Sequence, residues 1–217
     1  MPGFFFVVYK GRTAPRQTYT VMKKILYIHG FASAGSTGSA TQLRNHYYPL
    51  GVEVLSPDVP VSPLEAMAYL KQFVADNAPD VIVATSMGAL YAEQLRGISR
   101  ILVNPSFDMA RLLTFRGMGR QEFRNKRQDG AKDFKVDKVM IDGFREVQRH
   151  SFEGITPEER NIVYGLFGKH DKNVNCQPQF KKHYGTANFR IFDGEHYLNG
   201  KILDNEVIPI IDEVLRL

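Results

Sequence analysis

A chain of 217 residues, 43% hydrophobic and 24% charged, can bury a core as one domain and is too evenly composed to be disordered or repetitive. Its one cysteine, Cys176, excludes an internal disulfide and a zinc site built from cysteines, and points to a reducing, cytoplasmic compartment. A formal net charge of +5 is too mild to select nucleic acid, acidic lipid or anionic small molecules as partners.

At the start, Phe4-Phe5-Phe6-Val7-Val8 is apolar but far short of the ~20 residues a membrane span needs. Lys10 and Arg12 follow this run, whereas a secretory signal places its basic residues ahead of it. Met22-Lys23-Lys24 abuts the first clear strand. Residues 1–21 therefore read as an extension ahead of a domain over 22–217, the alternative being an extra edge strand over 4–9.

From there, short β-rich runs alternate with longer helical ones. A strand over 25–28 precedes a Gly/Ser/Ala loop, a helix over 40–48 and a strand over 52–55. Pro63 suits the first position of a helix carrying Leu64, Met67, Leu70 and Val74 at helical spacing. Strands are expected at 81–84 and 101–103, with a helix over 90–96 between them. The rhythm breaks between Pro105 and Arg160, where basic, helix-like patches contain no convincing strand. It resumes with strands at 162–167 and 189–192, a helix at 178–184 and a last helix over 202–217. Such alternation implies a mostly parallel sheet with right-handed crossovers and helices on both faces. The stretch over 106–160 reads as a helical, cap-like insertion, or as surface helices over a sheet edge.

The segment Val81-Ile82-Val83-Ala84-Thr85-Ser86-Met87-Gly88-Ala89-Leu90 has the context of a nucleophile elbow: buried strand, sharp turn on a serine, helix. The turn needs small residues two before and two after the serine, and Ala84 and Gly88 hold those places. Alanine stands where such elbows usually carry the first glycine. A nucleophilic serine needs a base, and the base an orienting acid, in the chain order Ser, acid, His. His196, in the loop after the strand at 189–192, fits the base. His46 and His183 fall on predicted helices, His150 falls in the insertion, and His170 breaks the chain order. Asp171, on the loop after the strand at 162–167, fits the acid. Asp108 competes with it from one strand earlier. His29-Gly30-Phe31 follows the first strand, where such folds place one oxyanion donor. The backbone N–H groups of Phe31 and Met87 are thus the expected pair.

The run Ile25-Leu26-Tyr27-Ile28-His29-Gly30-Phe31-Ala32-Ser33, the Thr85-Ser86-Met87-Gly88 elbow and Val103-Asn104-Pro105 together resemble the bacterial YqiA-like family of small esterases. The resemblance runs from about residue 22 to 105, and more loosely over the Asp171 and His196 loops. It implies an α/β-hydrolase fold, intracellular and free of cofactors or metal. The insertion is longer and more basic than the family pattern, so the resemblance says least about substrate.

These readings converge on a serine hydrolase acting on small carboxylic esters or thioesters through an acyl-enzyme. The alternatives are an amide or peptide hydrolase on the same residues, or a non-catalytic binding protein that keeps the fold. The basic residues Arg111, Arg116, Arg120, Arg124, Lys126 and Arg127 raise a nucleic-acid reading, but acidic residues interrupt them and no recognition motif accompanies them. In a cap, Arg116, Arg120 and Arg124 would instead favour a substrate with an anionic leaving group.

Overall fold

The computed structural model describes residues 22–217; the expected extension over 1–21, with its possible strand over 4–9, lies outside them. In chain order the elements are β1 (Lys24–Ile28), α1 (Gly38–Tyr47), β2 (Glu53–Leu55), α2 (Pro63–Asn77), β3 (Val81–Thr85), α3 (Met87–Glu93) and β4 (Ser99–Val103). Then come α4 (Met109–Arg116), β5 (Gly119–Glu122), β6 (Asp133–Val136), α5 (Lys138–Arg149) and α6 (Pro157–Ile162). The chain closes with β7 (Val163–Gly168), α7 (Gln177–Tyr184), β8 (Phe189–Phe192), α8 (Gly200–Ile202) and α9 (Ile208–Leu215).

Six strands form one parallel sheet in the order β2-β1-β3-β4-β7-β8. Its central strands are largely apolar because both faces are covered, although β4 opens on Ser99 and a fully buried Arg100. Alternate residues then serve opposite cores. Leu26, Ile28, Ile82, Ala84 and Leu102 face a core that includes Leu70 of α2, Leu90 of α3 and Phe144 of α5. Ile25, Tyr27, Val81, Val83 and Ile101 face the other, against Leu43 and Tyr47 of α1 and Ile210 and Ile211 of α9.

Two local departures from expectation have simple causes. Helix α3 starts at Met87, directly after Ser86, so its first turn belongs to the sharp strand-to-helix turn itself. The last helix is interrupted by a π-helical turn over Leu203–Val207, just before Pro209. Proline supplies no N–H to the helical ladder, and widening the preceding turn accommodates that loss.

The insertion also differs from the all-helical reading. Arg120 pairs with Lys135 and Gln121 with Phe134 in an antiparallel hairpin of β5 and β6. The four residues of β5 are Gly, Arg, Gln and Glu. No apolar alternation exists there, so periodicity could not reveal the strand. Helix α5, by contrast, buries Met140, Ile141, Phe144 and Val147 in the sheet's own core. It covers the sheet, and only the end of α4 and the hairpin segment reach the rim described next. No described helix is long and apolar enough to cross a membrane.

Candidate active site

Ser86 leaves β3 with φ 51° and ψ −118°, a conformation that costs a non-glycine residue on the order of 1–3 kcal/mol. Three backbone hydrogen bonds hold it there. The Ser86 N–H donates to the Val103 carbonyl at 3.0 Å, and the Ser86 carbonyl accepts from the N–H groups of Ala89 and Ser106, each at 3.1 Å. The tight turn forces α3 against the end of β1. A Cβ placed on Gly88 would sit 2.4 Å from the Ile28 carbonyl oxygen and 2.6 Å from that of His29. Glycine is therefore required two residues after the serine, whereas Ala84, two before it, fits with its side chain fully buried.

The predicted base and acid meet this serine. His196 Nε2 lies 2.9 Å from Ser86 Oγ, and His196 Nδ1 lies 2.7 Å from Asp171 Oδ2. Burial raises the Asp171 carboxyl, but hydrogen bonds from His196 and from the N–H groups of Asn173 and Val174 outweigh it, leaving the carboxyl below its ordinary value. An ionised Asp171 accepts from Nδ1–H, so Nε2 is the acceptor for the Ser86 hydroxyl.

The competing residues stand elsewhere. Asp108 is the N-cap residue of α4, yet its side chain accepts from Gln148 Nε2 at 3.1 Å instead of capping the helix. His46 stacks edge-on against Tyr47, His183 lies flat on Phe152, and His150 faces Glu153 on the surface. His170 neighbours the acid in sequence but contacts Asp193 at 2.8 Å.

The expected oxyanion loop is held from within by His29, which is 2% exposed. Its Nε2 accepts from the Val59 N–H at 3.1 Å, so Nδ1 carries the proton and donates to the Gly30 carbonyl at 2.9 Å. Burial lowers the His29 pKa, keeping the ring neutral. Gly30 brings this loop against the elbow, since a Cβ there would lie 3.3 Å from the Ser86 Cβ. Phe31 lines the cavity over Ser86, braced edge-on by Phe134 of β6. Met87 opens α3, and the first N–H groups of a helix have no intrahelical acceptor.

Asn104 had no role in the sequence reading. It is 1% exposed, with φ 45°, and ties three segments together. Its Nδ2 donates to the carbonyls of Glu195 and His196 at 2.8 and 2.9 Å, and its Oδ1 accepts from the Gly168 N–H at 2.6 Å. Gly168 completes the arrangement, because a Cβ there would lie 2.6 Å from the carbonyl oxygens of Gly194 and Glu195. The sequence offered its place in the Val103-Asn104-Pro105 run that carries part of the resemblance, and an asparagine directly after a buried strand, a type that tolerates positive φ, but nothing to show which segments it joins.

Above the serine lies a cavity of about 440 Å³, whose lining includes the apolar Leu112, Leu113, Val174 and Leu198 and the polar Gln121, Arg124 and Asn125. Among the described residues no group of three or more His, Cys, Asp or Glu side chains is arranged to hold a metal.

Solved structures share this arrangement of strands and helices across nearly the whole chain. Est1E from Butyrivibrio proteoclasticus superposes with a TM-score of 0.62 at 16% identity, covering 94% of this chain and 92% of its own. Paleococcus ferrophilus monoacylglycerol lipase gives 0.60 at 12% identity, with 89% and 94% covered. Alpha/beta hydrolase domain-containing protein 10 from mouse gives 0.58 at 15% identity, with 89% of each chain covered. At such identities the likeness establishes the α/β-hydrolase fold. The model of an uncharacterised protein family, UPF0227, matches residues 24–209, and the chain belongs to that family, the YqiA-like group its sequence resembles.

Proposed function

We propose that the protein is a serine esterase that hydrolyses small carboxylic esters or thioesters through an acyl-enzyme. The observation that carries this reading is the continuous relay from Asp171 through His196 to Ser86, with contacts of 2.7 and 2.9 Å, on a strained serine between a buried strand and a helix. Ser86 Oγ attacks the carbonyl carbon while His196 Nε2 takes its proton, and Asp171 stabilises the imidazolium that forms. The tetrahedral oxyanion is met by the backbone N–H groups of Phe31 and Met87, an interaction whose loss costs about 3 kcal/mol per donor in hydrolases of this type. His196 then protonates the leaving alcohol or thiol. Water, deprotonated by the same ring, cleaves the acyl-Ser86 ester and restores the serine. The monoacylglycerol lipase among the structural neighbours agrees with such chemistry.

The test is covalent labelling with a fluorophosphonate, together with turnover of a panel of p-nitrophenyl esters and acyl thioesters. Ser86 should be the labelled residue, and Ser86→Ala should abolish both labelling and turnover. A labelled alanine variant would refute the assignment, and an unlabelled wild-type protein would favour a non-catalytic binding role.

A further inference from the structure

The cavity over Ser86 combines apolar side chains with neutral polar ones. Leu112, Leu113, Val174 and Leu198 supply apolar surface, and among the described residues no Asp, Glu or Lys lines any part of it. Among those residues its one permanent charge is Arg124. The other arginines of the same segment are already engaged: Arg120 pairs with Asp133, and Arg127 pairs with Asp129 and donates to the Val59 carbonyl. Arg124 forms no ion pair with any described residue. The Arg116 side chain lies outside the described ones.

Arg124 is nevertheless held in place. Its N–H donates to the Ala32 carbonyl at 2.9 Å, and the neighbouring Asn125 Oδ1 accepts from Ser33 Oγ at 2.8 Å. Further along, Ser36 Oγ donates to the Lys126 carbonyl at 2.6 Å. The segment is thus fastened to the loop that carries Phe31. The guanidinium lies over the Tyr197 ring, 4.9 Å from its centroid, and that ring stands edge-on to His196 at 5.4 Å. A guanidinium held over an aromatic ring and paired with no described carboxylate still has N–H donors to offer to an anionic acceptor. A fastened cation with no carboxylate partner among the described residues, beside the catalytic histidine in a cavity that also presents apolar side chains, matches an ester with a greasy body and one negative end.

We propose that Arg124 is a specificity-determining residue that receives an oxyanion, carboxylate or phosphate, carried by the substrate away from its scissile ester bond. The inference rests on Ser86 acting as an esterase nucleophile and names the class of ester it takes. Of the three arginines that a basic cap would offer, it selects one.

Matched probes test it: p-nitrophenyl hexanoate, the p-nitrophenyl monoester of adipic acid, and p-nitrophenyl 6-phosphonohexanoate. The wild-type protein should give a higher kcat/KM on at least one anionic probe than on the neutral one, and the better anion identifies which oxyanion the site takes. Arg124→Gln should lower the anionic-to-neutral ratio about tenfold, the loss of one charge-assisted hydrogen bond. Arg124→Lys, which keeps the charge without the fork, should fall between. Arg120→Gln should leave the ratio where it was. A ratio unchanged by Arg124→Gln, or lowered equally by Arg120→Gln, would overturn the proposal. Calorimetric binding of the anionic probes to the Ser86→Ala protein separates the two readings. Binding to the Ser86→Ala protein that adding Arg124→Gln weakens about tenfold, together with a wild-type protein that turns over none of the probes, defeats the esterase reading alone. Binding indifferent to Arg124→Gln defeats the anion site alone.

Discussion

Asn104 Nδ2 donates to the carbonyl of His196 at 2.9 Å, so a buried amide at the end of β4 holds the backbone of the residue whose ring contacts Ser86. The same amide bonds Glu195 and accepts from Gly168, which makes Asn104 the joint between β4, β7 and the histidine loop. Asn104→Ala should strand two carbonyls and one N–H, at about 1–3 kcal/mol for each group left unpaired and buried. The histidine then loses its register with Ser86, and misplacement by about 1 Å costs on the order of 10²-fold in rate. A merely structural residue would lower the melting temperature alone. Here kcat and the rate of fluorophosphonate labelling should fall well below the melting transition, with KM little changed. Asn104→Asp should be worse than Asn104→Ala, because it turns an oxygen toward two carbonyls.

Asp171 and Asp108 should separate cleanly by substitution. Asp171→Asn removes the charge that fixes the His196 tautomer and steadies the imidazolium, for about a 10⁴-fold loss in kcat with the fold retained. Asp108 only accepts from Gln148 at the start of α4, so Asp108→Asn should retain most of the activity. Steady-state kinetics on one p-nitrophenyl ester, with circular dichroism as the folding control, decides the matter. The reverse ranking would transfer the acid to Asp108.

The sheet was legible because its central strands, such as Val81–Thr85, are apolar on both faces and stand between helices of clear 3.6-residue period. Ser86, Asp171 and His196 were legible because parallel strands deliver their following loops to one edge, where chain order limits which residues can meet. The hairpin at Gly119–Glu122 was not, since a polar, half-exposed strand carries no periodic signal. The π-helical turn before Pro209 was hidden in an otherwise regular apolar helix. The place of Asn104 escaped for another reason. It is fixed by contacts to His196, 92 positions away in the chain, and no local pattern encodes such a pairing. Arg124 was offered by the sequence together with Arg116 and Arg120, but its contact with Tyr197, 73 positions away, could not be read there.

Two glycines should be intolerant for different reasons. Gly88→Ala would drive a Cβ into the backbone oxygens of Ile28 and His29, so either β1 or α3 must move, at about 1–3 kcal/mol for an overpacked core. Both stability and labelling of Ser86 should drop. Gly168→Ala presses instead on the carbonyls of Gly194 and Glu195, the residues just before His196. Its effect should concentrate on kcat, through a displaced histidine. Thermal melts and labelling rates measured together distinguish the two, and a fully active Gly168→Ala protein would show that the histidine loop is not held by that close approach.

The last prediction concerns acid. His29 is buried and neutral, its pKa pushed below the ordinary 6.5 by desolvation, and its Nε2 is committed to accepting the Val59 N–H. Protonating it would end that bond and place a charge inside the core, near Arg127. In the unfolded chain the same imidazole takes up a proton as pH falls through about 6.5. The unfolded state therefore binds more protons than the folded one, and stability rises with pH across this window. It should be intact above about pH 7 and erode as pH falls from 6.5 toward the folded pKa. Asp171 has the depressed folded pKa of a paired carboxylate, so its contribution is lost only further down, below its ordinary 3.8. Chemical denaturation at pH 7.5, 6.5, 5.5 and 4.8 should thus show a steady loss of stability in the wild-type protein. His29→Gln, whose amide does not titrate, should start less stable but show a flatter dependence over the same range. Equal slopes in the two proteins would mean that another group titrates there and that His29 is no source of the acid sensitivity.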